Sequence, residues 1–105
     1  MSRIPYLPED LAEPAALVAA IRARRGGQLM NLDRMLLHSP AFAGGWNGFL
    51  RAVRSDLALD PKLRELAMCV VAVINGAEYE FVHHAPVFLA AGGTQQFACA
   101  LHVLR

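Results

Sequence analysis

Asp60-Pro61-Lys62-Leu63-Arg64-Glu65, then an apolar run from Leu66 to Ile74, then Asn75-Gly76-Ala77-Glu78-Tyr79-Glu80-Phe81-Val82-His83-His84 sets the architecture of this chain. Asp60 offers a capping oxygen, and Pro61 suits the first helical position, where its missing amide costs nothing. Leu63, Leu66, Ala67, Val70, Val71 and Ile74 then recur at helical spacing. Asn75-Gly76 supplies a stop. The segment from about 77 to 91 is helical again, with a distortion expected at Pro86, which lacks the amide that would bond the carbonyl of Val82. Two helices joined by so short a connection fold back on each other.

Residues 1–12 read as an irregular arm, because Pro5 and Pro8 block early helix. A first helix is expected over about 14–25, with Leu17, Val18 and Ile21 as its apolar stripe and Gly26-Gly27 as its stop. A second, over about 28–38, presents Leu29, Leu32, Leu36 and Leu37 and ends before Pro40. Ser39 is then placed to cap a third, running from Pro40 to about 57 and weakened or bent at Gly44-Gly45. Gly92-Gly93 ends the fifth helix, and Thr94 caps a last one carrying Phe97, Leu101 and Leu104. No alternating strand pattern, internal repeat or low-complexity segment interrupts this punctuation. The fold class is all-α, a single domain of about six helices over residues 1–105.

Composition narrows the function. Apolar residues make up 55% of the 105 and charged residues 18%, more apolar surface than so short a chain readily buries, which points to a homo-oligomer. Net charge is +1, and the one basic cluster, Arg22-Ala23-Arg24-Arg25, sits where cations meet the C-terminus of a helix or face solvent, so a nucleic-acid partner is not expected. The longest apolar run is about half the length a bilayer requires, and Glu9 and Asp10 fall where a signal peptide would be apolar. A cytoplasmic protein without a membrane partner is expected. Cys69 and Cys99 form neither a redox pair motif nor a disulfide framework, and apolar neighbours on both sides suggest two small buried hydrophobes.

The ionisable groups collect on the predicted hairpin. Glu65 comes opposite position 87, three residues beyond His84, an offset of about 4.5 Å at ~1.5 Å rise per residue. Glu80 lies one turn before His84 and three residues before His83, within reach of either. Cys69 is one turn after Glu65. Glu65, Glu80 and His84, with Cys69 or His83, thus make a candidate proton relay in apolar surroundings, the setting in which carboxylates and histidines are tuned toward proton transfer near neutral pH. Two other readings stand beside it. Glu80 with a histidine could be a surface pair and Glu65 a solvated residue beside Arg64, or Glu80-Phe81-Val82-His83 could be half of a metal site completed by a second copy. No HExxH and no paired CxxC supports the metal.

From Leu59 to Gly92 the chain resembles the carboxymuconolactone decarboxylase superfamily, which includes the alkylhydroperoxidase D-like proteins. The resemblance lies in the Pro-x-Leu-Arg-Glu-Leu entry, the apolar helix, Asn-Gly, and then Glu-Tyr and a histidine before a glycine-ended helix. Asn31-Leu32-Asp33-Arg34 and His38-Ser39-Pro40 are similar to the family's preceding segment. Peroxidase-type members carry Cys-x-x-Cys where this chain has Ala77 and Glu80. Their relay glutamate and histidine fall at the spacings of Glu65 and His84. A thiol–disulfide cycle needs an attacking thiolate and a resolving partner, so the resemblance implies a cysteine-free variant without peroxiredoxin-type turnover.

What it implies instead is an alkylhydroperoxidase D-like helical bundle and a small-molecule substrate, with no cofactor and no metal. The concrete reaction is decarboxylation of a lactone acid: His84 delivers a proton as carbon dioxide leaves, Glu65 orients and recharges His84, and Glu80 shapes the pocket. Tyr79 and His83 are candidate substrate contacts. A non-catalytic helical oligomerisation module of the same fold is the rival. Members of the superfamily commonly continue with further helices, whereas residues 95–105 do not resemble that continuation and read as a divergent or truncated end.

Overall fold

The computed structural model describes residues 3–103, with side-chain surroundings up to Leu101. Among them are six α-helices and no strand: α1 (Ala15–Arg25), α2 (Asn31–Leu36), α3 (Pro40–Arg51), α4 (Pro61–Ile74), α5 (Glu78–Ala90) and α6 (Gln95–Val103). The all-α expectation holds. Leu104, expected on the last helix, and the first two residues of the arm lie outside the described residues. No described helix is long and apolar enough to cross a membrane. The chain falls into two compact units, one up to Leu57 and one from Ala58.

In the first unit Val18, Ile21, Leu37 and Ala43 form the core, with Leu7, Leu11, Leu17, Leu29 and Leu36 against it. Gly26 takes the left-handed conformation (φ 84°) and ends α1, as its position after the arginines predicts. One expectation fails here: Ser39 makes no side-chain cap bond. α3 continues through Gly44-Gly45, and a five-residue π-helical turn, Ala52–Asp56, follows it.

The basic cluster is also more specific than a row of charges at a helix end. Arg25 grips the buried Asp33 through Nε and Nη2, at 3.1 and 3.0 Å, while Asp33 also accepts from the Met30 amide at 2.9 Å. Arg24 donates to Asn47 at 2.6 Å. Arg22 donates to the carbonyls of Glu9 and Leu11, and with Arg34 on the Leu7 carbonyl and His38 on that of Pro5 it ties down residues 5–11. The arm has no helix; the Pro8 carbonyl accepts from the Leu11 amide, while those of Pro5, Leu7, Glu9 and Leu11 are met by imidazole or guanidinium donors.

In the second unit α4 and α5 form the expected antiparallel hairpin, and α6 packs on both. Asp60 caps α4, accepting from the Lys62 amide at 2.8 Å, and Thr94 caps α6, accepting from the Phe97 amide at 3.2 Å. Gly76 closes the hairpin at φ 64°, a conformation costly for any residue with a Cβ. Pro86 sits inside α5. Gly93 allows a close approach: a Cβ there would lie 2.4 Å from the ring of the buried Phe88. The core is Cys69, Ala72, Val73, Phe81, Phe88, Ala98 and Leu101.

The buried face of α4 departs from the sequence expectation. Glu65, Cys69, Ala72 and Val73 point inward, whereas Leu63, Val71 and Ile74 of the predicted stripe are exposed. α4 is apolar on more than one side, so periodicity alone has two solutions. Which one is buried depends on the partners α5 and α6 offer. Of the apolar residues carried by α6, Phe97 is 52% exposed and Leu101 is buried.

Candidate functional site

Glu65 is the only glutamate buried on α4, and it is fully enclosed, with no solvent exposure. A carboxylate taken out of water must be compensated by charge and hydrogen bonds. Both are present. Arg64 brings Nε and Nη2 each to 3.1 Å from Oε1, and His84, from the facing helix, brings Nδ1 to 2.6 Å from Oε2. The reading of Glu65 as a solvated residue beside Arg64 is therefore excluded. The expected Glu65–His84 contact across the hairpin is present.

The other ring nitrogen of His84 lies 3.5 Å from Glu80 Oε2, one helical turn back along α5. His84 thus stands between two carboxylates of different character. Glu65 is sealed in the core and Glu80 is 53% exposed. Because an ionised carboxylate only accepts, Nδ1 is the donor to Glu65, and in the neutral ring the lone pair then sits on Nε2. Nε2 can take up a proton or, once protonated, give it back.

His84 and Glu80 line a groove of about 450 Å³ with Ala67, Met68, Val71, Ala72, Asn75 and Ala77. Apolar surroundings were expected for this cluster, but the contribution of Met68 and of the hairpin-turn residues Asn75 and Ala77 was not. Its signal was present, since the register that sets Glu65 against His84 also sets the Met68 and Ala72 side of α4 against Glu80. Arg64 was missed as a partner as well, because neighbours in a helix sequence ordinarily point apart.

Tyr79 and His83 lie elsewhere. Their rings pack at 4.2 Å between centroids, His83 Nδ1 is 2.8 Å from the Tyr79 carbonyl, and neither lines the groove. Glu80 pairs with His84, so the Glu-x-x-His spacing does not converge on one point. Among the described residues no group of three or more His, Cys, Asp or Glu side chains is placed to hold a metal ion.

The two cysteines differ. Cys69 is buried as expected, and burial, then the negative charge of Glu65, pushes its thiol above the ordinary value. Cys99, expected to be buried, is exposed on α6, with the Gln95 amide nitrogen 3.6 Å from its sulfur. The apolar residues around it in sequence project to other sides of the helix, Ala98 and Leu101 into the core. Alkylation of the native protein by iodoacetamide at neutral pH is expected to label Cys99 readily and Cys69 only after denaturation, as read by peptide mass spectrometry.

Comparison with curated proteins yields no match, and none is found among solved structures. The sequence model of the Carboxymuconolactone decarboxylase family matches residues 40–103, which take in α3, the whole α4–α5 hairpin with Glu65, Glu80 and His84, and α6. With more than half of its length matched, this chain belongs to the carboxymuconolactone decarboxylase family.

Proposed function

We propose that this protein performs acid–base chemistry on a small molecule held in the α4–α5 groove, with His84 Nε2 exchanging the proton. The observation that carries this reading is the 2.6 Å hydrogen bond from His84 Nδ1 to the fully enclosed Glu65 carboxylate. That bond fixes the ring and leaves Nε2 as the working atom. A proton gained there creates an imidazolium next to an anion that does not have to reorganise, which lowers the cost of the step. Glu65 touches no substrate in this scheme and acts as a positioning residue. The family's name suggests decarboxylation of a lactone acid as one form of the chemistry. Carbon dioxide leaves, its bonding electron pair stays on carbon, and the Nε2 proton joins that carbon. Which form operates depends on the charge the groove admits.

The test is a panel of small ketones, lactones and lactone acids incubated in heavy water, with C–H exchange and carbon dioxide loss followed by NMR. At least one compound is expected to react with the wild-type protein and none with His84→Asn above background. Equal behaviour of the two proteins would remove this reading.

An assembly role is the second reading, favoured by one observation. Leu63, Ala67, Val71 and Ile74 place an exposed apolar row along one face of α4, with Ile74 76% exposed. Such a row suits contact with a second copy. Light scattering at micromolar concentration is expected to give a multiple of the 11.4 kDa chain mass. A stable monomer would sink the idea.

A further inference from the structure

The groove is apolar over most of its wall, and the charge at its rim is negative. Ala67, Met68, Val71, Ala72 and Ala77 supply the apolar lining, Asn75 is a neutral amide, and among the described residues only Glu80 and His84 of the lining can carry charge. Among the described residues no lysine or arginine lines the groove. The nearest guanidinium along the relay, that of Arg64, is directed at Glu65 Oε1. His84 does not supply the missing cation. Its neutral form turns a lone pair toward the groove, and its charged form already faces two carboxylates, Glu65 at 2.6 Å and Glu80 at 3.5 Å.

An anion entering this groove would lose hydration against methyl and thioether groups, gain no free counter-charge, and meet the carboxylate of Glu80. A neutral molecule pays none of these penalties and can still hydrogen-bond to His84 or Asn75. Selectivity of this kind comes from the repulsive element as much as from the attractive one.

We infer that the groove takes an uncharged, largely apolar carbonyl compound and that Glu80 excludes carboxylates, so that the reaction is proton transfer within a neutral substrate rather than decarboxylation. Nε2 takes a proton from the carbon next to the carbonyl, and the electron pair of that C–H bond moves onto the carbonyl oxygen as an enolate. The same proton returns from Nε2 to that carbon or to its conjugated neighbour. Atoms and charge balance, and no oxidant or co-reactant is consumed. The inference rests on the reading of the groove as the binding site.

The experiment measures binding without turnover, so its outcome is separate from that of the catalytic reading. Cyclohexanecarboxamide and cyclohexanecarboxylate have nearly the same shape and differ by one charge. Each is titrated into protein carrying ¹³C-methyl methionine, and the Met68 signal is followed. The amide is expected to bind about tenfold more tightly than the carboxylate, a ratio equivalent to 1.4 kcal/mol. Glu80→Gln is expected to shrink the ratio severalfold, mainly by improving carboxylate binding; the site is half exposed and glutamine is as good a helix former, so the fold is retained. In the wild-type protein, raising the salt concentration should narrow the ratio in the same direction. Equal or tighter binding of the carboxylate, a ratio unchanged in Glu80→Gln, or no Met68 response to either probe at millimolar concentration would each overturn the inference.

Discussion

Glu65→Gln is expected to lower the rate on any substrate that the wild-type protein turns over by about 10²–10⁴-fold, with His84→Asn at least as damaging. The reason lies in how the carboxylate is shared. Arg64 donates to Oε1 and His84 donates to Oε2, so each oxygen of Glu65 has its own donor. Glutamine keeps only one oxygen. The guanidinium, always charged and never an acceptor, takes that oxygen, which turns the amide nitrogen toward His84. Nδ1 must then accept, the ring proton moves to Nε2, and the atom facing the groove is no longer a base. ¹⁵N NMR of the ring is expected to show the Nδ1–H tautomer in the wild-type protein and the Nε2–H tautomer in Glu65→Gln. The two substitutions combined should cost little more than either alone, because both disable one unit. An unchanged tautomer together with an unchanged rate would end the relay proposal.

The largest effect on stability is expected far from that hairpin in sequence, at Asp33. Its side chain is 2% exposed, takes both contacts from Arg25, and accepts from the Met30 amide at the start of α2. Asp33→Ala removes the partner of a mostly buried guanidinium and the acceptor of a helix-start amide together, and is expected to cost about 3–5 kcal/mol. Urea unfolding followed by circular dichroism measures it as a lowered midpoint. Replacing both partners, Asp33→Leu with Arg25→Met, is expected to recover much of the loss, because the uncompensated charge then disappears. Asp56→Asn is the contrast. Its pairing with Arg51 spans 4.0 Å between side chains that are 54% and 68% exposed, and a change below about 0.5 kcal/mol is expected. Equal midpoints for Asp33→Ala and Asp56→Asn would show that burial does not set the worth of these pairs.

Much of the second unit was legible because its signals are local. Asp60-Pro61 starts α4, Asn75-Gly76 turns the chain, and Thr94 starts α6, each through bonds made within a few residues. An antiparallel hairpin with so short a turn has nearly fixed register, so the approach of Glu65 and His84 followed from spacing and helical rise. The ends of α2, the missing cap bond at Ser39 and the π-helical turn after Arg51 were not legible in the same way, since competing local patterns there differ by little energy.

What the sequence determined by itself was the all-α class, the hairpin and the pairing across it, because helical propensity, capping and turn chemistry act over one or two turns of chain. Only the tertiary structure decided which face of α4 is buried. An apolar helix offers several faces of similar burial value, and the choice goes to the one whose buried acid finds compensation, here Glu65 between Arg64 and His84. The same holds for Cys99 at the surface, for Tyr79 and His83 apart from the groove, and for the grip of Arg25 on Asp33. Each depends on where a side chain ends up in space relative to groups elsewhere in the chain, and periodicity along one helix carries no information about that.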